Sequence, residues 1–275
     1  MRVAAPSPRP ADRRPAPFGR RSAPVVANDP IGSYRLLRCL DVGGPSPGAG
    51  QFYMLASAQR WGAGTDERPF LPRAFSVMRT VGDELEFLLE DVGPGTRRLA
   101  ELRPGEDLWI TGPLGAGFAA PAEGRRPVHV GGGIGIAPLA IWQDELGGGR
   151  ALLGFRDAEH AVAAALFVDV RLTTDDGSEG HRGLVTDLLE DELERDDMAT
   201  VYACGPPPML EAVRAMCARR GVPAQLAMEV GMACGYGACF GCAVPTRRGY
   251  VRLCLEGPVL DADQIDSALV PGAGH

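Results

Sequence analysis

Apolar and polar positions alternate along the first half of the chain. From Pro30 to about residue 120, short apolar runs are punctuated by Gly and Pro: SYRLLRCLDV, QFYMLAS, AFSVMRTV, ELEFLLEDV and DLWITGPLG. Several keep a period of two and recur at roughly 8 to 15 residues, the pattern of a small antiparallel barrel or sandwich. The polar stretch PAEGRR (121–126) ends this region. PVHVGGGIGIAPLAIWQDEL then reads as strand, glycine turn and helix, and ALLGF, ALFVDVRLTT, LVTDLLEDELERD, ATVYACGP and PMLEAVRAMCARRG continue the alternation. Alternating strands and helices predict a parallel, doubly wound α/β layer. From Met228 the chain turns Gly- and Cys-rich, then closes with a short β-like run. The expected organisation is a multidomain α+β chain: a flexible Pro/Arg-rich tail at 1–28, an antiparallel β-barrel at 29–122, a doubly wound α/β domain at 123–226 and a small cysteine-bearing domain at 227–275. The run Asp187–Asp197, with seven acids in eleven positions, reads as the solvated face of a helix.

Composition narrows the function. A chain of 275 residues with 45% hydrophobic and 23% charged residues is an ordinary globular mix. Its net charge of −7 argues against a nucleic-acid partner. All 28 basic residues are Arg, so P-loop and Schiff-base lysine chemistry are excluded, and phosphate must be held by backbone N–H, hydroxyl or guanidinium. No run reaches the roughly 20 apolar residues of a spanning helix. The first 24 residues carry six Arg, six Pro and one acid, without the apolar core of a secretory signal. The repeated prolines also interrupt the amphipathic helix of a transit peptide, so a cytoplasmic protein without membrane contact is expected.

Four of the seven cysteines, Cys234, Cys239, Cys242 and Cys254, are spaced C-x4-C-x2-C-x11-C. Three thiols within nine residues are poor disulfide partners, so a metal or an iron–sulfur cluster is indicated. The C-x4-C-x2-C part is the plant-type [2Fe–2S] spacing, whereas structural zinc favours paired C-x2-C knuckles; zinc stays the alternative. Gly235, Gly237 and Gly241 suit a loop that must wrap inward, and a hairpin over Pro245–Tyr250 would return Cys254 to the other three. Cys39, Cys204 and Cys217 read as buried small residues.

GGGIGIAP (131–138), between a strand and a helix, departs from the strict dinucleotide fingerprint and also suits a plain structural turn. Its glycines, Gly131, Gly132, Gly133 and Gly135, with Pro138, would let a pyrophosphate reach a helix N-terminus. Cys204-Gly205-Pro206 ends a later strand and opens another helix, so both loops can face one crevice. In the β domain, Arg73-Ala74-Phe75-Ser76 and the Gly93-Pro-Gly95-Thr96 turn form a possible phosphate clamp beside an aromatic and a hydroxyl; singly, each is equally a surface or core feature.

RAFS, LLEDVGPGT, GPLGAGF, VGGGIGIAPL, LLGFRD, RGLVTDLL, ACGPPPML, MACGYGACFGCAV and CLEGPVL follow one another in this order. The series resembles the electron-transfer subunit of dihydroorotate dehydrogenase B, within the ferredoxin-NADP reductase superfamily, from about residue 30 to 265. The resemblance implies a β-barrel FAD domain, an NAD domain and a [2Fe–2S] domain that relay electrons from NADH to the FMN of a catalytic subunit, in a heterotetramer. It implies that Arg73 meets the FAD pyrophosphate, that Ser76 lies near the reactive edge of the flavin, and that Gly95 and Thr96 bind phosphate. Leu88, Leu89 and Glu90 would occupy the strand beside the flavin. Ala74 stands where the family has Pro, and Leu89-Glu90 where it has Tyr and a basic residue. Flavin is also what the other two groups require, because nicotinamide gives a hydride and a cluster accepts single electrons. No catalytic side chain is expected; Cys204 is a shaping residue. Tyr236, Phe240, Val259, Leu260 and the loop Glu256-Gly257-Pro258 are expected to form a partner interface. The competing readings are an NAD(P)H-dependent flavin iron–sulfur reductase serving a hydrogenase, ferredoxin or other oxidoreductase, and a nucleotide-responsive module with structural zinc.

Overall fold

The computed structural model describes residues 19–59 and 71–270; residues 1–18 of the expected tail lie outside the described residues. The alternating runs form β1 (Arg21–Ile31), β2 (Tyr34–Leu40), β3 (Phe52–Ser57), β4 (Arg73–Ser76), β5 (Arg79–Val81) and β6 (Glu84–Leu89), then helix α1 (Pro94–Ala100) and β7 (Asp107–Leu114). They build one curled antiparallel sheet, half of a barrel, in the order β4-β3-β7-β1-β2-β6-β5. Ala23, Val25, Leu37, Leu85, Phe87, Leu108 and Ile110 turn inward at alternate positions and form its core. The tail therefore ends earlier than expected. Residues 21–28 belong to β1, which pairs with β7 and then, across a bulge at Val25–Ala27, with β2. Pro24 hides this strand in the sequence; it occupies the last pair of the β1–β7 ladder, opposite Asp107.

The second half supplies β8 (Arg126–Gly132), α2 (Ala137–Leu146), β9 (Arg150–Phe155), α3 (Ala158–Ala161), β10 (Val170–Thr174), β11 (His181–Arg182), α4 (Val185–Arg195), β12 (Ala199–Cys204), α5 (Pro207–Arg220) and β13 (Ala224–Ala227). The last segment adds the hairpin β14 (Ala243–Thr246) and β15 (Gly249–Arg252), and then β16 (Val259–Asp261). The second sheet runs β11-β10-β9-β8-β12-β13-β16, parallel except for β16. The strand order reverses direction between β8 and β12, and that switch point is where an open α/β sheet holds a ligand. The acidic run is mostly solvated on α4, but Glu192 is buried. It accepts from Arg126 Nη1 at 2.8 Å and faces Arg150 and Arg171 at 3.9 and 3.8 Å.

Two hydrophobic clusters hold the molecule together, and both cross the expected domain boundaries. One joins the curled sheet to α2 and β9, with Phe118, Trp142 and Tyr202 in mutual ring contact. The other joins β8, β12, α4 and α5 to the cysteine-bearing segment and to Phe52, Met54 and Leu114 of the first sheet. Val259 and Leu260 are buried in β16 against β13, so they do not contribute to an exposed interface. Gly257 and Pro258 are likewise buried: Gly257 O accepts from Ala116 N of the segment following β7.

Candidate functional site

Arg73 opens β4, and its guanidinium lies across the start of α1. A Cβ placed on Gly95 would fall 2.7 Å from Arg73 Cζ and 2.8 Å from Nη2, so these two motif residues, 22 positions apart, are in contact. Arg73 Nη1 donates to Leu71 O at 2.7 Å. Leu71, whose carbonyl this guanidinium binds, leaves large apolar surface exposed, as does Val92, two residues before α1. A cation at a helix start beside exposed apolar surface fits a pyrophosphate joined to flat rings. Ala74 is exposed, Phe75 packs half-buried against the core, and Ser76 is half-buried opposite Phe52. Thr96 Oγ1 closes its own turn, accepting from Val92 N at 2.9 Å and Gly93 N at 3.0 Å. Leu88 and Leu89 are 1% and 0% exposed, on opposite faces of the strand, so both faces are covered at this end. Of that strand end, Glu90 alone keeps exposed side-chain surface; it binds Arg156 Nη2 at 2.6 Å. Sequence reasoning missed a cleft of about 400 Å³ between the β1–β2 turn and α1, lined by Tyr34, Arg35, Asp91, Arg97 and Glu101. No local motif marks it, since its walls meet only in the fold.

The two glycine-bearing loops come together at the switch point. A Cβ on Gly135 would lie 2.6 Å from both Cys204 O and Gly205 N, and one on Gly132 would lie 2.6 Å from Met209 Sδ. Gly131 is similarly closed in by Ile136, at 2.8 Å. Gly132 and Gly135 thus serve the packing of the two loops, and Gly131 the packing of its own turn on α2 and β9. Gly133 differs: its φ is +54° and the nearest atom to a Cβ would be Tyr34 Oη at 3.9 Å, leaving open space before the turn. It is the glycine whose backbone a ligand can approach. Pro138 is buried in the first turn of α2. Burial, reinforced by Glu229, pushes the Cys204 thiol far up, which suits a shaping residue and disfavours a nucleophile. Pro206 is exposed and Gly205 buried beside Met209.

The cysteine loop sits on the first sheet. Gly235, with φ +79°, packs so closely that a Cβ would be 2.6 Å from Met54 Cγ, and Met54 is the register partner of Ala74. Cys242 and Cys254 are buried with their sulfurs 3.2 Å apart, and the β14–β15 hairpin brings the latter back as expected. Burial pushes the Cys254 thiol up to about 12, helped by its bond to Cys242. Burial also acts to raise Cys234, but N–H groups of Cys239 and Tyr236, the Cys239 side chain and the Ala238 N–H bring it down to about 7. Among the described residues no three His, Cys, Asp or Glu side chains converge as ligands of one ion. The thiols form two pairs, Cys234/Cys239 and Cys242/Cys254, an arrangement that fits a two-iron cluster better than one tetrahedral zinc. Gly241 has no left-handed φ; Phe240 does, at +60°, with its ring 62% exposed beneath the Arg252 guanidinium. Holding a bulky residue there costs on the order of 1–3 kcal/mol. Tyr236 and Tyr250 are exposed on the same segment. Cys39 and Cys217 are buried, as expected.

Residues 229–266 match the iron-sulfur cluster binding domain of dihydroorotate dehydrogenase B, and residues 156–215 match the oxidoreductase NAD-binding domain. The chain is 35% identical over 253 residues to the dihydroorotate dehydrogenase B (NAD(+)) electron transfer subunit of Caldanaerobacter subterraneus subsp. tengcongensis, covering 90% of this chain and 98% of that one. It is 37% identical over 214 residues to the protein of the same name from Clostridium acetobutylicum, covering 76% and 82%. Among solved structures, an NADH-dependent reduced ferredoxin-NADP oxidoreductase studied for flavin-based electron bifurcation superimposes with a TM-score of 0.73 over 89% of this chain and 90% of that one. At 24% identity that likeness establishes the fold.

Proposed function

The chain belongs to the family of dihydroorotate dehydrogenase B electron transfer subunits, and on that premise we propose that it passes electrons between NADH and the FMN of a dihydroorotate dehydrogenase catalytic subunit, in pyrimidine biosynthesis. It is an oxidoreductase subunit that uses NAD(H), FAD and an iron–sulfur cluster. The observation that carries the relay is the seat of the cysteine loop: Gly235 packs on Met54, whose strand partner is Ala74 in the tetrad assigned to the flavin. That seat supports a one-electron centre lying against the flavin cradle.

FAD, when bound, exchanges a hydride for single electrons, and the cluster carries them one at a time. In this reading residues 29–122 are the FAD-binding barrel, residues 123–226 the NAD domain and residues 227–275 the cluster domain. Arg73 neutralises the FAD pyrophosphate from beside α1, with Leu71 and Val92 excluding water from the rings. The open face of Gly133 and the Cys204–Pro206 loop orient the dinucleotide at the switch point. Cys234, Cys239, Cys242 and Cys254 hold the cluster, and the N–H groups directed at Cys234 stabilise its thiolate. Tyr236 and Phe240 face outward at the cluster tip as the partner's contact, and the strained backbone of Phe240 is explained by that role. The assembly is a cytoplasmic heterotetramer; no helix among the described residues is long and apolar enough to cross a membrane.

The test is reconstitution. The chain alone should reduce one-electron dyes with NADH and leave dihydroorotate untouched. Adding the FMN-bearing catalytic subunit should create NADH-linked dihydroorotate turnover, and Phe240→Asp should abolish that turnover while dye reduction persists. A chain with no affinity for such a subunit would overturn the proposal in favour of a general reductase.

A further inference from the structure

Arg156 and Asp157 follow β9 at the carboxyl edge of the parallel sheet, one strand from the glycine turn after β8. Ligands of open α/β sheets lie beyond that edge. A dinucleotide brings two phosphates there, while backbone N–H groups at a helix start offer only about half a positive charge. The loops leaving this edge are residues 133–136 after β8, 156–157 after β9, 175–180 after β10, 205–206 after β12 and 228–242 after β13. Arg156 is the one Lys or Arg among them.

Its guanidinium is held across the boundary between the two sheets. Nη2 donates to Glu90 Oε1, at the end of β6, over 2.6 Å. The same carboxylate lies 3.5 Å from His160 Nε2, whose ring is fixed by Asp157 Oδ1 at 2.7 Å from Nδ1 and by edge contact with Tyr34. Both neighbouring carboxylates are thus engaged, Glu90 by Arg156 and Asp157 by His160. Arg156 keeps 60% of its side chain exposed, and its other N–H donors have no partner among the described residues. A guanidinium oriented by one bond with its remaining donors open suits bidentate capture of phosphate oxygens.

We propose that Arg156 is the phosphate anchor for the dinucleotide substrate, set in the crevice between the NAD and flavin sheets. The assignment rests on reading that crevice as the NAD(H) site. The test uses oxidised protein loaded with FAD and cluster, titrated calorimetrically with NAD+, ADP-ribose and adenosine. Arg156→Gln should weaken NAD+ and ADP-ribose by the same factor, about 10-fold or more for a lost charge-assisted contact, and leave adenosine unmoved. Arg156→Lys should recover part of the loss, and unchanged flavin content and visible spectrum report an intact fold. Wild-type affinity for NAD+ in Arg156→Gln, or an equal loss for adenosine, overturns the anchor. A wild-type chain that binds neither NAD+ nor ADP-ribose overturns the crevice reading and the anchor with it, a failure told apart by that control.

Discussion

Gly95→Ala perturbs the Arg73 guanidinium without removing any polar group. Gly95 is in α1 and carries no left-handed φ, so alanine is compatible with its backbone and raises helix propensity by about 0.5–1 kcal/mol. The new methyl would nevertheless sit 2.7 Å from Arg73 Cζ and 2.8 Å from Nη2, where ordinary contact begins at 3.4 Å. Nε lies closer still, so the guanidinium, as the end of a flexible side chain, gives way by about 1 Å or swings out, at little cost to the fold. A charge-assisted pair with pyrophosphate is worth about 1.5–3 kcal/mol, or about 10- to 150-fold in affinity. Gly95→Ala should therefore bind FAD about 10-fold more weakly while melting no lower than wild type as apoprotein. Arg73→Ala should span the full range, and the double variant should lose no more than Arg73→Ala alone. The assay is flavin fluorescence quenching on deflavinated protein. Undiminished FAD affinity in Gly95→Ala, or losses that add in the double variant, would refute the placement of Arg73 on the pyrophosphate.

His129 is fully buried, donates weakly to Gly148 O at 3.3 Å, and burial lowers its pKa to about 4. The unfolded chain takes up that proton near pH 6.5 and the native one only near 4. Stability is therefore complete above about 6.5 and falls by about 3 kcal/mol as pH drops to 4; the melting temperature of His129→Leu should lose that share of its slope between pH 7.5 and 5. Gly135→Ala puts a methyl 2.6 Å from backbone atoms of Cys204 and Gly205 and should cost about 1–3 kcal/mol together with NAD+ affinity. Gly147→Ala, with nothing within 4 Å of its Cβ, should leave NAD+ affinity intact, measured by the same titration. Cys254→Ser should bleach the cluster absorbance and retain FAD; one zinc per chain in anaerobically prepared wild type would contradict the cluster.

What the sequence disclosed was what lies close along the chain. The iron–sulfur segment and the hairpin returning Cys254 were legible because cysteine spacing is local chemistry, and the α/β layer because its strands are continuous apolar runs. β1 escaped because Pro24 and small inward residues mask its alternation. Glu192 looked solvated within an acidic run, since the arginines that bury it arrive from three separate strand starts. The purpose of Gly135 depends on Cys204, and that of Arg156 on Glu90; neither pairing leaves a trace in local pattern. Leu88 and Leu89 are both buried although they are neighbours on one strand, so each of its two faces is covered at that end, which the alternating pattern does not show.

In the proposed relay, one chain joins a hydride site to a one-electron centre through flavin. Anaerobic titration of the isolated holoprotein with NADH, followed by visible absorption and electron paramagnetic resonance, tests it most directly. Flavin bleaching should be accompanied by a paramagnetic reduced cluster at one per chain, and Cys254→Ser should bleach the flavin without that signal. Flavin reduced by NADH beside a cluster that stays oxidised, with the catalytic subunit present or absent, would contradict it.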